Sequence, residues 1–79
     1  MQRIVVVPVE VGWLVDCDLL ETALIFRGGG QAERAARRLA QACALAGRGA
    51  VVLVHLRTGE VAGRFRYPPA PGPDSGHFP

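Results

Sequence analysis

Only one stretch of this chain can make a helix of useful length. It is Gln31 to Ala46, a run of good helix formers opened by Gly28, Gly29 and Gly30 and closed by Gly47 and Gly49. The remainder must be strand or connection, and every strand must pack on this helix or pair with one that does. At about 100° per residue, Ala32, Ala36, Leu39, Cys43 and Ala46 fall on one stripe, and Arg34, Arg37, Arg38 and Gln41 on the other. A stripe that is mostly alanine lets a helix approach a sheet closely, so the large core side chains are expected from the strands. Glu33 in the first turn and Arg48 just past the last suit the helix macrodipole. The three glycines leave the N-terminus without the Ser, Thr or Asp that best accepts a backbone N–H there, so a weak cap is expected.

Five strand segments surround this helix. Arg3 to Val9 is β-branched almost throughout, with Pro8 marking its end or an edge. Trp13 to Asp18 puts Trp13, Val15 and Cys17 on one face and Leu14, Asp16 and Asp18 on the other. Ala23 to Arg27 is a short third strand. Ala50 to Leu56 is a fourth, and the turn Arg57-Thr58-Gly59-Glu60 leads into Val61 to Tyr67. The order β-β-β-α-β-β with short connections predicts an α+β fold, a single mainly antiparallel sheet with one amphipathic helix packed on one face. The first hairpin lacks the Asn-Gly or Asp-Gly that fixes a two-residue loop, which leaves its register open. Residues 1–67 form the domain. Residues 68–79, with five prolines and two glycines, form a C-terminal tail read as structural, with Tyr67 or Phe78 as its anchor.

One helix covers one face of a sheet, and the other should be polar if it meets water. Here it is not. Val5, Val7 and Val9 share one face of the first strand while Ile4 and Val6 occupy the other; Val52, Val54 and Leu56 oppose Val51 and Leu53 in the fourth. Burying each large aliphatic side chain is worth roughly 1.5 to 3 kcal/mol, so leaving about four exposed would forfeit an amount comparable to the stability of a small domain. A second cover is therefore expected, and a second copy of the chain is the simplest one. The residues read as a dimer interface are Ile4, Val6, Val51 and Leu53.

The chemistry that the chain can support is limited. Its 79 residues carry a net charge of +2, with nine arginines and no lysine, too mild a balance to imply nucleic acid or an anionic membrane by itself. No apolar run reaches the roughly 20 residues of a membrane span, and Met1 to Val9 lacks the features of a signal peptide, so no membrane association and a cytoplasmic location are expected. Cys17 and Cys43 lack metal-knuckle spacing and are read as buried free thiols. His55 shares the parity of Val51 and Leu53, with no Ser, Thr or Cys placed by spacing to act beside it, and reads as structural. Asp16 and Asp18 share a strand face but lack the ligand number of a calcium site and read as a solvated edge. Gly28 to Gly30 lacks the Lys and Ser or Thr of a phosphate loop. The expectation is no catalytic residue, no cofactor and no metal.

That leaves a non-catalytic, dimeric binding or interaction module. The alternative is a nucleic-acid binder that neutralises phosphates with the arginine-bearing helix face. Arg34, Arg37, Arg38, Leu45 and Arg48 are the candidate contacts for nucleic acid or an unknown protein partner, Leu45 being an apolar residue on the arginine side.

Three segments carry a resemblance. Gly12-Trp13-Leu14-Val15, then Phe26 before a helix with Ala32, Ala36 and Ala40, then Val54-His55-Leu56-Arg57-Thr58-Gly59-Glu60-Val61 resemble the small bacterial domain-of-unknown-function family 2188 over Arg3 to Tyr67. That family shows a Gly-Trp-x-Val strand, an alanine-rich helix and a Val-x-His hairpin. Where it typically has Ser or Thr at the helix start, this chain has Gly28 to Gly30; where it typically has a basic second hairpin, this chain has Asp16 and Asp18. The resemblance implies a bacterial protein of this layout and carries no activity. The layout is also similar to the HicB-like antitoxin domain, a partner-binding module, without its acidic-proline motif.

Overall fold

The computed structural model describes residues 1–71. In chain order they form β1 (Gln2–Val9), β2 (Gly12–Cys17), β3 (Leu24–Phe26), α1 (Gly29–Leu45), β4 (Ala50–His55) and β5 (Val61–Tyr67). The strands make one sheet in the order β3-β2-β1-β4-β5, with α1 packed against it. Pairing is antiparallel everywhere except between β1 and β4, which run parallel. The fold is therefore α+β with a single helix, as the sequence predicts, on a mixed sheet. The parallel pair is a consequence of the helix. After β3 the chain crosses the sheet face in α1, and a strand that returns from such a crossover beside β1 runs the same way.

The first hairpin is tighter than its sequence suggests. Val9 pairs with Gly12, leaving Glu10 and Val11 as a two-residue connection. Gly12 has φ +151°, and a Cβ added there would fall 2.1 Å from the Phe26 carbonyl oxygen. The glycine is thus required twice, by its own backbone and by the close passage of β3.

The core lies between α1 and one face of the sheet. Ile4, Val6, Val15, Cys17, Ala50 and Val52 meet Ala32, Ala36, Ala40 and Cys43, and Trp13, Phe26, Phe65 and Tyr67 close the margins. The four largest fully buried side chains, Ile4, Val6, Val15 and Val52, all come from strands. This is the division of large and small that the alanine stripe implies. The stripe itself is displaced from the expected one. Ala40 and Ala44 are buried, Leu39 is half-buried and Ala46 is exposed, because Ala46 is the C-cap, where helical periodicity has ended.

The helix start differs from the sequence reading, and the close at Gly47 agrees with it. The helix begins at Gly29, so Gly28 is the N-cap, and the Gln31 Oε1 accepts the Gly28 N–H at 3.4 Å. That is the reciprocal half of a capping box, with no side chain to supply the other half. The earlier start moves Glu33 out of the first turn, where it was expected to complement the macrodipole; it faces Arg37 at 3.7 Å instead. The Trp13 ring lies against the helix start, where a Cβ on Gly29 would approach Cε2 to 3.0 Å. A glycine at that place admits the tryptophan at the expense of helix propensity.

At the other end, Gly47 at φ +89° closes a Schellman motif. Its N–H donates to the Ala44 carbonyl at 3.0 Å, and the Arg48 N–H donates to the Cys43 carbonyl at 2.9 Å. The Ala44 carbonyl also accepts the Ala70 N–H at 2.8 Å, so the first residues after β5 fold back over the end of the helix. The rest of the tail, with His77 and the suggested anchor Phe78, lies outside the described residues.

Candidate interaction faces

Strand register decides which residues share the face that α1 leaves bare. Val5 pairs with Asp16 on β2 and with Leu53 on β4, and Leu53 pairs with Arg64 on β5. One row across four strands therefore reads Asp16, Val5, Leu53, Arg64. On one side of it lies the row Arg3, Val51, Arg66, and on the other Ile25, Leu14, Val7. The centre of this face is apolar. Val5, Val7, Leu14 and Val51 are half-buried by their neighbours, Leu53 is buried, and Ile25 is 52% exposed at the margin. The flanking charges, Asp16, Arg3, Arg64 and Arg66, are all exposed.

Two of the four residues read as an interface are therefore misplaced. Ile4 and Val6 are 0% exposed beneath the helix. Ile4 pairs with Val52, not Val51, so the β1 residues that share a face with Val51 and Leu53 are Arg3 and Val5. Val51 and Leu53 do lie on the bare face. A doubly apolar strand gives no hint of which of its sides a helix will cover, and the parallel register with β4 supplies what was missing.

The five candidate contacts on and beyond the helix separate into three places. Arg37 is engaged in the fold: its Nε donates to the Tyr67 hydroxyl at 3.0 Å, its guanidinium stacks 4.1 Å from the centroid of the Phe65 ring, and Glu33 lies 3.7 Å away. It fastens α1 to β5. Arg34, Arg38 and Leu45, the last 74% exposed, stand outward along the helix. Arg48 lines a groove of about 400 Å³ with Leu19, Leu39, Ala42, Cys43 and Ala46. Nothing in the sequence announced that groove, because Leu19 reaches it from the loop after β2.

The Arg37 contact is measurable. Tyr67→Phe removes the hydroxyl and keeps the ring, and should cost about 0.5 to 1.5 kcal/mol, with Tm lowered by roughly 4 to 8 °C per kcal/mol for a domain of this size. An unchanged melting temperature would show that the arginine holds β5 through Phe65 alone.

His55 lies at an irregularity in the β4–β5 pairing, half-buried, with Nδ1 3.4 Å from the Gly59 carbonyl oxygen. The same turn is closed by the Leu56 N–H donating to the Glu60 carbonyl at 2.8 Å and the Gly59 N–H donating to the Leu56 carbonyl at 2.9 Å. The histidine thus serves the turn. Cys17 and Cys43 are free and buried. Among the described residues, no three His, Cys, Asp or Glu side chains converge as a metal site, and no helix is long and apolar enough to cross a membrane.

This is a single-helix α+β domain built on a mixed five-stranded sheet. No protein-family model, curated protein or solved structure matches the chain. The resemblance to family 2188 rests on the quoted residues alone.

Proposed function

We propose that the chain is a non-catalytic interaction module that works as a homodimer, joined through the sheet face that α1 leaves bare. The observation that supports this is the contiguous set of half-buried Val5, Val7, Leu14 and Val51 around the buried Leu53, which occupies the three central strands of that face. Three central strands with aliphatic residues on both faces are the mark of a sheet covered on both sides. The alternative, nucleic acid on the arginines of the helix, has less to support it. Arg37 is held by Tyr67 and Phe65, and Arg48 stands apart at the groove, leaving Arg34 and Arg38 as a pair.

The test is the solution mass as a function of concentration. The wild-type chain should sediment and scatter as two copies. The double variant Val5→Lys, Val7→Lys puts two ammonium groups in the middle of the face, the first opposite Asp16 of its own chain, and should be a folded monomer, with the same far-ultraviolet circular dichroism as the parent. A wild-type chain that stays monomeric at millimolar concentration would overturn the proposal, as would a double variant that dimerises as well as its parent.

A further inference from the structure

The bare face is charged asymmetrically, and the asymmetry selects one way for two copies to meet. On its β2 side stand Asp16 and, one residue past the strand, Asp18; on its β5 side stand Arg64 and Arg66. Between them run β1 and β4 with Val5, Val7, Val51 and Leu53. Arg3 sits at the end of the β1 row, opposite Val51. None of Asp16, Asp18, Arg64 and Arg66 has an ion-pair partner within its own chain among the described residues. Asp16 and Arg64 are three strand spacings apart, or about 14 Å, too far to meet within one copy.

We infer that two copies pack face to face about a two-fold axis that lies in the interface, parallel to the strands and midway between β1 and β4. This rests on the homodimer proposed above and adds its geometry. Such a rotation lays β1 of one copy over β4 of the other and β2 over β5. Because Asp16, Val5, Leu53 and Arg64 occupy one row, the rotation sets Val5 over the partner's Leu53, whose own neighbours already cover most of it, and Asp16 on the partner's Arg64. The symmetry repeats both contacts, as an isologous interface must. Arg66 is likewise brought toward the partner's Asp18. Packed sheets lie about 10 Å apart, a gap that an arginine and an aspartate reaching toward each other can span.

The second arrangement that keeps the strands aligned, about an in-plane axis perpendicular to them, would lay β2 on β2 and β5 on β5. It would set Asp16 near its own symmetry mate and Arg64 near its own, and like charges so placed are unfavourable. Charge complementarity therefore chooses the first arrangement. The size of the overlap sets its strength. The rotation overlaps four strands and leaves β3 outside; four strands at about 4.8 Å and roughly six residues at about 3.3 Å give a patch on the order of 400 Å² per copy. The total of about 800 Å² is that of a weak, transient interface, so the dimer should be readily reversible and depend on concentration.

Exchange of charge between the two sides tests this geometry. Asp16→Arg and Arg64→Asp both change exposed side chains, so each variant should keep the parent fold by circular dichroism. Each alone sets like charges together at two symmetric places, and its dimer should be weakened on the order of 10- to 100-fold. Mixing the two single variants should restore association near that of the parent, because the mixed dimer recovers an opposite pair at both places. The double variant Asp16→Arg, Arg64→Asp should recover it within one chain. The proposed axis is overturned if the mixture associates no better than either variant alone while Val5→Lys, Val7→Lys still abolishes the dimer; the face would then be the interface in another orientation. If the parent chain shows no dimer, both the axis and the homodimer fail together.

Discussion

Gly12→Ala should not yield a stably folded domain. The substitution adds one carbon, and that carbon would lie 2.1 Å from the Phe26 carbonyl oxygen and 3.1 Å from its carbon. Both are backbone atoms, so no side chain can rotate aside. Relief requires moving β3 away from β2 or reopening the two-residue turn to β1, and φ +151° at this position is itself unfavourable for an L side chain. Either movement disrupts the pairings Trp13 to Phe26 and Val9 to Gly12. The expected loss is more than about 3 kcal/mol, a large part of the 5 to 15 kcal/mol typical of a whole domain. Urea denaturation followed by circular dichroism measures it. A variant within about 1 kcal/mol of the parent would mean that β3 does not pass beside Gly12 in solution.

Ala36→Leu should be the most damaging conservative change on the helix. Ala36 is 0% exposed between two equally buried alanines, Ala32 and Ala40, and these three set how closely α1 approaches the sheet. A leucine there adds three heavy atoms where no space exists, and must either distort its own rotamer or lift the helix from Ile4, Val6 and Val52. Overpacking of this kind costs about 1 to 3 kcal/mol, which should lower Tm by roughly 10 °C for a domain of this length. Gln41→Leu, on the same helix but exposed and away from the groove, is the control and should change stability by less than about 0.5 kcal/mol. Equal effects from the two would place the helix's buried stripe elsewhere.

These two positions illustrate unequal legibility. The alanine stripe is periodic, and periodicity survives in a one-dimensional string; that is why the single helix, the five strands and the α+β class were readable without coordinates. The demand on Gly12 comes from Phe26, a residue of another strand, and contacts of that kind leave no trace in local spacing. The face assignment divided in the same way. That β1 and β4 are apolar on both sides was visible, and it pointed to a second cover. Which side meets the helix depends on Ile4 standing opposite Val52, a parallel register fixed only when α1 has carried the chain back across the sheet. The arginines separated for a related reason. Arg37 belongs to the helix by sequence, yet Tyr67 and Phe65, some thirty residues further on, draw it into the fold.

The parallel pairing in the middle of the sheet also governs how the molecule comes together. Its two hairpins, β1–β2 and β4–β5, join neighbours in the chain and can close quickly. Ile4 and Val52 are about 48 positions apart, and nothing local brings them together. The entropy of closing that long loop is met only when α1 has found the sheet and the central strands can bury their valines at the same moment. The strands that end at the centre of the structure should thus be the last to meet in time. Until they do, the inner edges of the two hairpins remain open, and each is a ready template for a strand from another chain.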